Sequence, residues 1–198
     1  MPRKAKPRES PGALERLTTD ETARLLPLLF KRHPELREEA ESLAMMLITM
    51  VVPEEVADDL EFAFGGITQE DIWERSGSDS TGGYTEPGEA ADDLCDEALA
   101  PFLDALERLL EMGLELPALA QVKGILLGFH NLKGELPPDA EDYTTESGIY
   151  EVLEAWADGR PAKADPPLLA WVGEAIPEWL ENVEQNLAAI RKRSALRK

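Results

Sequence analysis

The chain has 198 residues, enough to bury a helical core without disulfides or metal, and 20 basic against 40 acidic side chains give it a formal net charge of −20. Its one cysteine, Cys95, excludes an internal disulfide, and no apolar run approaches the about 18–20 uncharged residues that cross a bilayer. The resulting expectation is a cytoplasmic protein with no membrane association and no cofactor.

Charge is unevenly spread along the sequence. Residues 1–10 and 189–198 hold nine basic side chains and one acidic, so the remaining 178 residues carry 11 basic and 39 acidic side chains and net −28. A field of that sign repels nucleic-acid phosphates and attracts basic partners. Direct nucleic-acid binding by the body is therefore not expected, whereas a protein partner, basic in character, is. The plainer role of such acidity is solubility.

Residues 1–12 are basic and Pro-rich and read as a disordered tail. A helix is expected from Asp20, capped by Thr19, with Leu25, Leu26, Leu29 and Phe30 as its buried stripe, ending at His33-Pro34. A second helix over 35–51 aligns Leu36, Ala40, Leu43, Ala44, Leu47, Met50 and Val51 at steps of three and four, which stacks them on one face. Pro53 opens a third helix over 54–64, stopped by Gly65-Gly66. A short helix over 70–75 leads into residues 76–83, a Ser/Gly-rich stretch with no apolar period that reads as an exposed loop.

Thr85 is the expected cap of a long helix, with Pro87 in its first turn and Leu94, Cys95, Ala98, Leu99, Phe102, Leu106, Leu109 and Leu110 as a seam reaching Gly113. Residues 117–133 form its partner, in which Gly124-x-x-x-Gly128 permits close helix approach. Residues 134–148 are turn-forming, 149–157 a short helix, 159–167 a linker, and 167–192 the last helix, followed by a basic tail over 193–198. Pro27, Pro101 and Pro177 are expected to kink or restart helices. Sliding residues 25–47 onto 105–127 superposes Leu26 on Leu106 and Leu29 on Leu109, a match open to two readings, a duplicated hairpin or the chance agreement of Leu-rich amphipathic helices. The fold class is all-α, an array of antiparallel helical hairpins arranged as a right-handed superhelix or an irregular bundle. One helical domain over 13–192 is expected, with core hairpins in 13–133 and C-terminal helices in 149–192.

Chemistry-bearing constellations are sparse. One cysteine and two distant histidines, His33 and His130, do not make a zinc site, and Phe30 and Leu127 stand where a di-iron bundle needs glutamate three residues before histidine. The pairs Asp58-Asp59 and Asp92-Asp93 point about 100° apart on a helix and suit a solvated face. Cys95 lies on an apolar seam among Asp92, Asp93, Asp96 and Glu97, which would raise its pKa, so it reads as a buried structural thiol. Gly82-Gly83 lacks the Lys-Ser/Thr of a phosphate-binding loop. No catalytic residue and no metal ligand is assigned. The set singled out for partner binding is Trp73, Arg75, Tyr84 and Glu86, because exposed Trp, Tyr and Arg dominate interfaces and Glu86 is a candidate carboxylate for Arg75.

The stretch Gly83-Tyr84-Thr85-Glu86-Pro87-Gly88-Glu89-Ala90-Ala91, with Leu99-Ala100-Pro101-Phe102-Leu103 and Leu109-Leu110-Glu111-Met112-Gly113, resembles uncharacterised bacterial helical regions that accompany SWIM-type zinc fingers. Arg32-His33-Pro34-Glu35-Leu36 is similar to their leading hairpin. The likeness covers roughly residues 20–133. It implies a right-handed array of tetratricopeptide- or HEAT-like hairpins with an interaction role. The Cys-x-Cys…Cys-x-His module is itself missing, so the resemblance does not carry over that finger's nucleic-acid role.

The expected function is a non-enzymatic interaction or scaffold module. Two alternatives are a small all-α enzyme whose acids and His130 meet in a pocket, and an acidic accessory subunit binding a basic, nucleic-acid-associated partner.

Overall fold

A computed structural model describes residues 12–78, 83–158 and 160–196. Residues 1–11 of the expected N-terminal tail, 79–82 of the expected loop and 197–198 of the C-terminal tail lie outside the described residues. The fold is all-α, with helices α1 (Thr19–Arg32), α2 (Arg37–Thr49), α3 (Pro53–Gly65), α4 (Gln69–Arg75), α5 (Pro87–Glu111), α6 (Glu115–Asn131), α7 (Ser147–Ala157), α8 (Pro166–Ala175) and α9 (Leu180–Leu196). A two-stranded antiparallel pair, β1 (Gly77–Ser78) and β2 (Tyr84–Thr85), is the one sheet among the described residues.

The single domain read over 13–192 divides into two compact units, with the boundary between Ile48 and Thr49. In the first, α1 begins one residue earlier than expected. Thr18 is the cap, its hydroxyl accepting from the Glu21 N–H while the Glu21 carboxylate accepts from the Thr18 N–H at 2.9 Å. The helix runs on through Pro27. A 3-10 turn over Pro34–Leu36 precedes α2, shortening the helix expected over 35–51. The buried stripe expected from Leu25, Leu26 and Leu29 is not buried, since no residue of α1 or α2 is.

The second unit is built around α6. Helix α3 runs beside it in the same direction, Pro53 and Val56 facing Gly124, Ala57 and Leu60 facing Gly128, and Asn131 donating to Glu61 at 2.6 Å. A Cβ on Gly124 would lie 2.5 Å from Val56 Cβ and 2.6 Å from the Pro53 carbonyl oxygen, so the Gly-x-x-x-Gly spacing does what the sequence suggested. Phe64, Phe129 and Tyr143 form an aromatic cluster, the first two edge-to-face at 5.5 Å. The α5–α6 hairpin turns at Gly113, φ +71°, where the Leu114 N–H reaches the Leu109 carbonyl and the Gly113 N–H reaches Leu110.

Three boundaries differ from expectation. Thr85 pairs in β2 instead of capping α5, and Glu86 takes the cap position without a side-chain hydrogen bond. Helix α5 continues through Pro101, whereas Pro177 opens a 3-10 turn that splits the single helix expected over 167–192 into α8 and α9. Helix α9 continues to Leu196, so the basic stretch from Arg193 is helical to that point.

Candidate functional site

The site residues singled out above sit around the β1–β2 pair. Helix α4 is set by a capping box, Thr68 Oγ1 accepting from the Asp71 N–H at 3.2 Å and Asp71 Oδ2 accepting from the Thr68 N–H at 2.9 Å. It is seated by Ile72, which is fully buried. At its end the Ser76 hydroxyl donates to the Trp73 carbonyl at 3.1 Å. Gly77 then adopts φ +104°, a conformation that β-carbons disfavour, and turns the chain into the strand pair Gly77↔Thr85, Ser78↔Tyr84. The exposed loop expected over 76–83 is thus anchored at both ends by backbone pairing.

Arg75 does not pair with Glu86. Its guanidinium forks onto Glu97 of α5, Nη1 donating to Oε1 at 2.8 Å and Nη2 to Oε2 at 2.7 Å. This hydrogen bonding raises the Arg75 pKa and holds the Glu97 carboxyl below its ordinary value. The bidentate geometry fixes the base of the strand pair on α5 and specifies position more than it adds stability. Trp73 and Tyr84 remain 63% and 61% exposed. No signal in the sequence could have found Glu97, which lies 22 residues from Arg75 and meets it only through the packing of α4 on α5.

His130 also finds a partner that the sequence did not show. Its Nε2 lies 2.7 Å from Glu178 Oε1, and its ring meets Trp179 edge-on at 5.6 Å. The Glu178 carboxyl is held below its ordinary value by its own backbone N–H and by His130. The pair is partly open to solvent, Glu178 more so than His130. His33 stands 3.0 Å from Glu35 on an exposed turn.

A third group surrounds Cys95, which is buried. Burial, then Asp92 and Asp96, push its thiol up to about 12. The Tyr143 hydroxyl donates to Asp96 at 2.5 Å. Burial raises the carboxyl pKa of both Asp92 and Glu151, with Asp96 the largest neighbouring charge on each. A cleft of about 410 Å³ is lined by Glu107, Glu111, Glu115 and Asp158 with Arg160, whose guanidinium lies 3.7 Å over the Trp156 ring and pairs with Glu115. Four carboxylates against one guanidinium give the cleft a negative lining. No cluster of three or more metal-ligating side chains occurs among the described residues, and no helix among them is long and apolar enough to cross a membrane.

Comparison with family models, with curated proteins and with solved structures finds no match for this chain.

Proposed function

We propose that this chain is a non-enzymatic interaction module, a cytoplasmic scaffold that recognises a basic protein partner through Trp73 and Tyr84. The observation that supports the reading is that two aromatic side chains, 63% and 61% exposed, stand on a segment whose base is fixed by the Arg75–Glu97 fork. Preorganised aromatics cost little entropy on binding, and Trp and Tyr carry much of the energy where they are central. The acidic surface supplies encounter rate and a preference for basic partners. The resemblance to helical regions that accompany SWIM fingers agrees with an interaction role. Pull-down with the full chain at low salt should retain a basic protein. Trp73→Ala and Tyr84→Ala should each weaken that capture at least about tenfold, equal to about 1.4 kcal/mol, while leaving Tm within a few degrees. Retention unchanged by both substitutions would remove the proposal.

The second reading, a small all-α enzyme, is favoured by the 2.7 Å contact between His130 and Glu178, the geometry of a base and its orienting carboxylate. An activity that is lost in His130→Ala, with its pH profile moved in Glu178→Gln, would support it over the scaffold.

A further inference from the structure

The first unit carries two amphipathic helices whose apolar stripes meet solvent. Leu26 and Leu28 on α1 are 51% and 59% exposed, Leu43 and Leu47 on α2 are 50% and 65% exposed, and Leu25 and Leu29 are exposed beside them. Their regular spacing is the pattern of helices that bury one face. Two helices alone do not enclose a core, so an apolar face of this kind is a surface that another helix pair can cover.

We infer that the cover is a second copy of this chain, with α1 of one copy laid on α2 of the other about a two-fold axis. Charge selects this occupant. Residues 1–48 hold nine basic and eight acidic side chains, whereas residues 49–198 hold 11 and 32. Two copies meeting through the later residues would oppose two strongly negative surfaces, and the near-neutral unit is where they approach without that repulsion. Within the unit the two helices are complementary. Helix α1 carries Arg24, Lys31 and Arg32 against Asp20 and Glu21, while α2 carries Glu38, Glu39 and Glu41 against Arg37. Helical spacing puts Arg24 and Arg32 one turn to either side of Leu28, and Glu39 one turn before Leu43, so charges of opposite sign border the two stripes. A two-fold axis satisfies the α1-to-α2 pairing twice with one surface. A foreign basic partner would draw its attraction from residues 49–198 instead.

The size agrees. Helices of 14 and 13 residues are each about 20 Å long and about 10 Å across, and two per copy suit a small dimer interface of about 1,200 Å² over both partners. The inference is independent of the recognition role proposed for Trp73 and Tyr84. Two copies joined here would present that surface twice, which strengthens binding to a repeated partner.

Sedimentation equilibrium of the full chain tests it. The wild type should sediment at twice the chain mass at about 100 μM, and Leu26→Glu/Leu47→Glu, with both sites already exposed, should weaken association at least about tenfold. Helix content of that variant by circular dichroism, set against the wild type, reports whether α1 and α2 are still folded. A charge-swap pair guards against a folding artefact. Arg24→Glu/Arg32→Glu and Glu38→Lys/Glu39→Lys should each fail to self-associate, yet form a dimer when mixed. A wild type that is monomeric at that concentration, a Leu→Glu variant that remains dimeric, or a mixture that fails to associate would each overturn the inference.

Discussion

Arg191 grips both carboxylate oxygens of Asp165, Nη2 donating to Oδ1 at 2.6 Å and Nε to Oδ2 at 3.2 Å. From Nη1 the same guanidinium donates to the carbonyl of Ala157 at 2.7 Å and to that of Arg160. Asp165 also accepts from the Trp156 indole N–H at 3.3 Å. One side chain of α9 thereby closes the end of α7, the connection after it and the start of α8.

Removing that side chain leaves a 6%-exposed carboxylate with the indole as its one remaining side-chain donor among the described residues. Arg191→Ala should therefore cost about 3–5 kcal/mol, the usual penalty for stranding one member of a buried pair, and lower Tm by about 10 °C or more. Arg191→Lys should recover little of it, since an ammonium cannot form the fork and reach two carbonyls together. Thermal unfolding followed by circular dichroism reads both, and an alanine variant melting within about 2 °C of the wild type would refute the assignment.

Gly124 gives a second test, because two effects oppose each other there. Alanine is worth about 1 kcal/mol over glycine in a helix interior, but overpacking a tight contact costs about 1–3 kcal/mol. A Cβ at Gly124 would meet Val56 Cβ at 2.5 Å and the Pro53 carbonyl oxygen at 2.6 Å. Backbone cannot rotate away as a side-chain tip can, so Gly124→Ala should destabilise in net. Gly65→Ala meets nothing within 4 Å and should be neutral or slightly stabilising. Denaturant midpoints of the two variants should move in opposite directions or by clearly different amounts.

The contrast between α2 and α6 shows what the sequence could and could not say. Both helices were legible, α2 through its apolar spacing, and in α6 Gly124-x-x-x-Gly128 also marked a close approach to a neighbour. Periodicity marks which face of a helix is apolar without specifying what lies over it. Leu25, Leu26 and Leu29 thus read as a buried stripe, and they are exposed. The recognition set was half legible. The exposure of Trp73 and Tyr84 follows from their flanking a loop with no apolar residues, but the partner of Arg75 is Glu97, not Glu86, because the choice depends on how α4 lies on α5. The same holds for His130 and Glu178, 48 residues apart, and for Arg191, which sequence position placed near a basic end and packing placed on Asp165.

Cys95 was legible in full, since its apolar seam and its acidic neighbours were both visible. Burial with Asp92 and Asp96 lifts the thiol to about 12, against about 8.5 for a free cysteine, so the reactive thiolate is scarcer by about three powers of ten at mildly alkaline pH. Labelling of the native chain by a thiol reagent at about pH 8 should be at least about 1,000-fold slower than after denaturation. Comparable rates would show that the seam opens in solution.

The carboxyls beside that thiol supply the last prediction. Glu151 is raised by burial and then by Asp96, Asp92 and Glu154, while Asp92 is raised by burial and then by Asp96 and Asp93. An acid with a raised folded pKa keeps its proton in the folded chain where the unfolded chain has already released it. The stability it contributes is therefore present at low pH and lost as pH rises through the raised folded value. Once ionised, both groups carry their charge in surroundings that disfavour it. Glu151→Gln keeps the shape and a hydrogen-bond acceptor while removing that charge. It should raise Tm at pH 7 by about 1–3 °C, with partial exposure of the site limiting the gain. The gain should shrink as pH falls into the carboxylate range, where the wild-type side chain becomes neutral as well. Melting curves of the two proteins taken across that range decide the matter, and a gain that stays constant or grows towards low pH would show that the surroundings of Glu151 do not disfavour its charge.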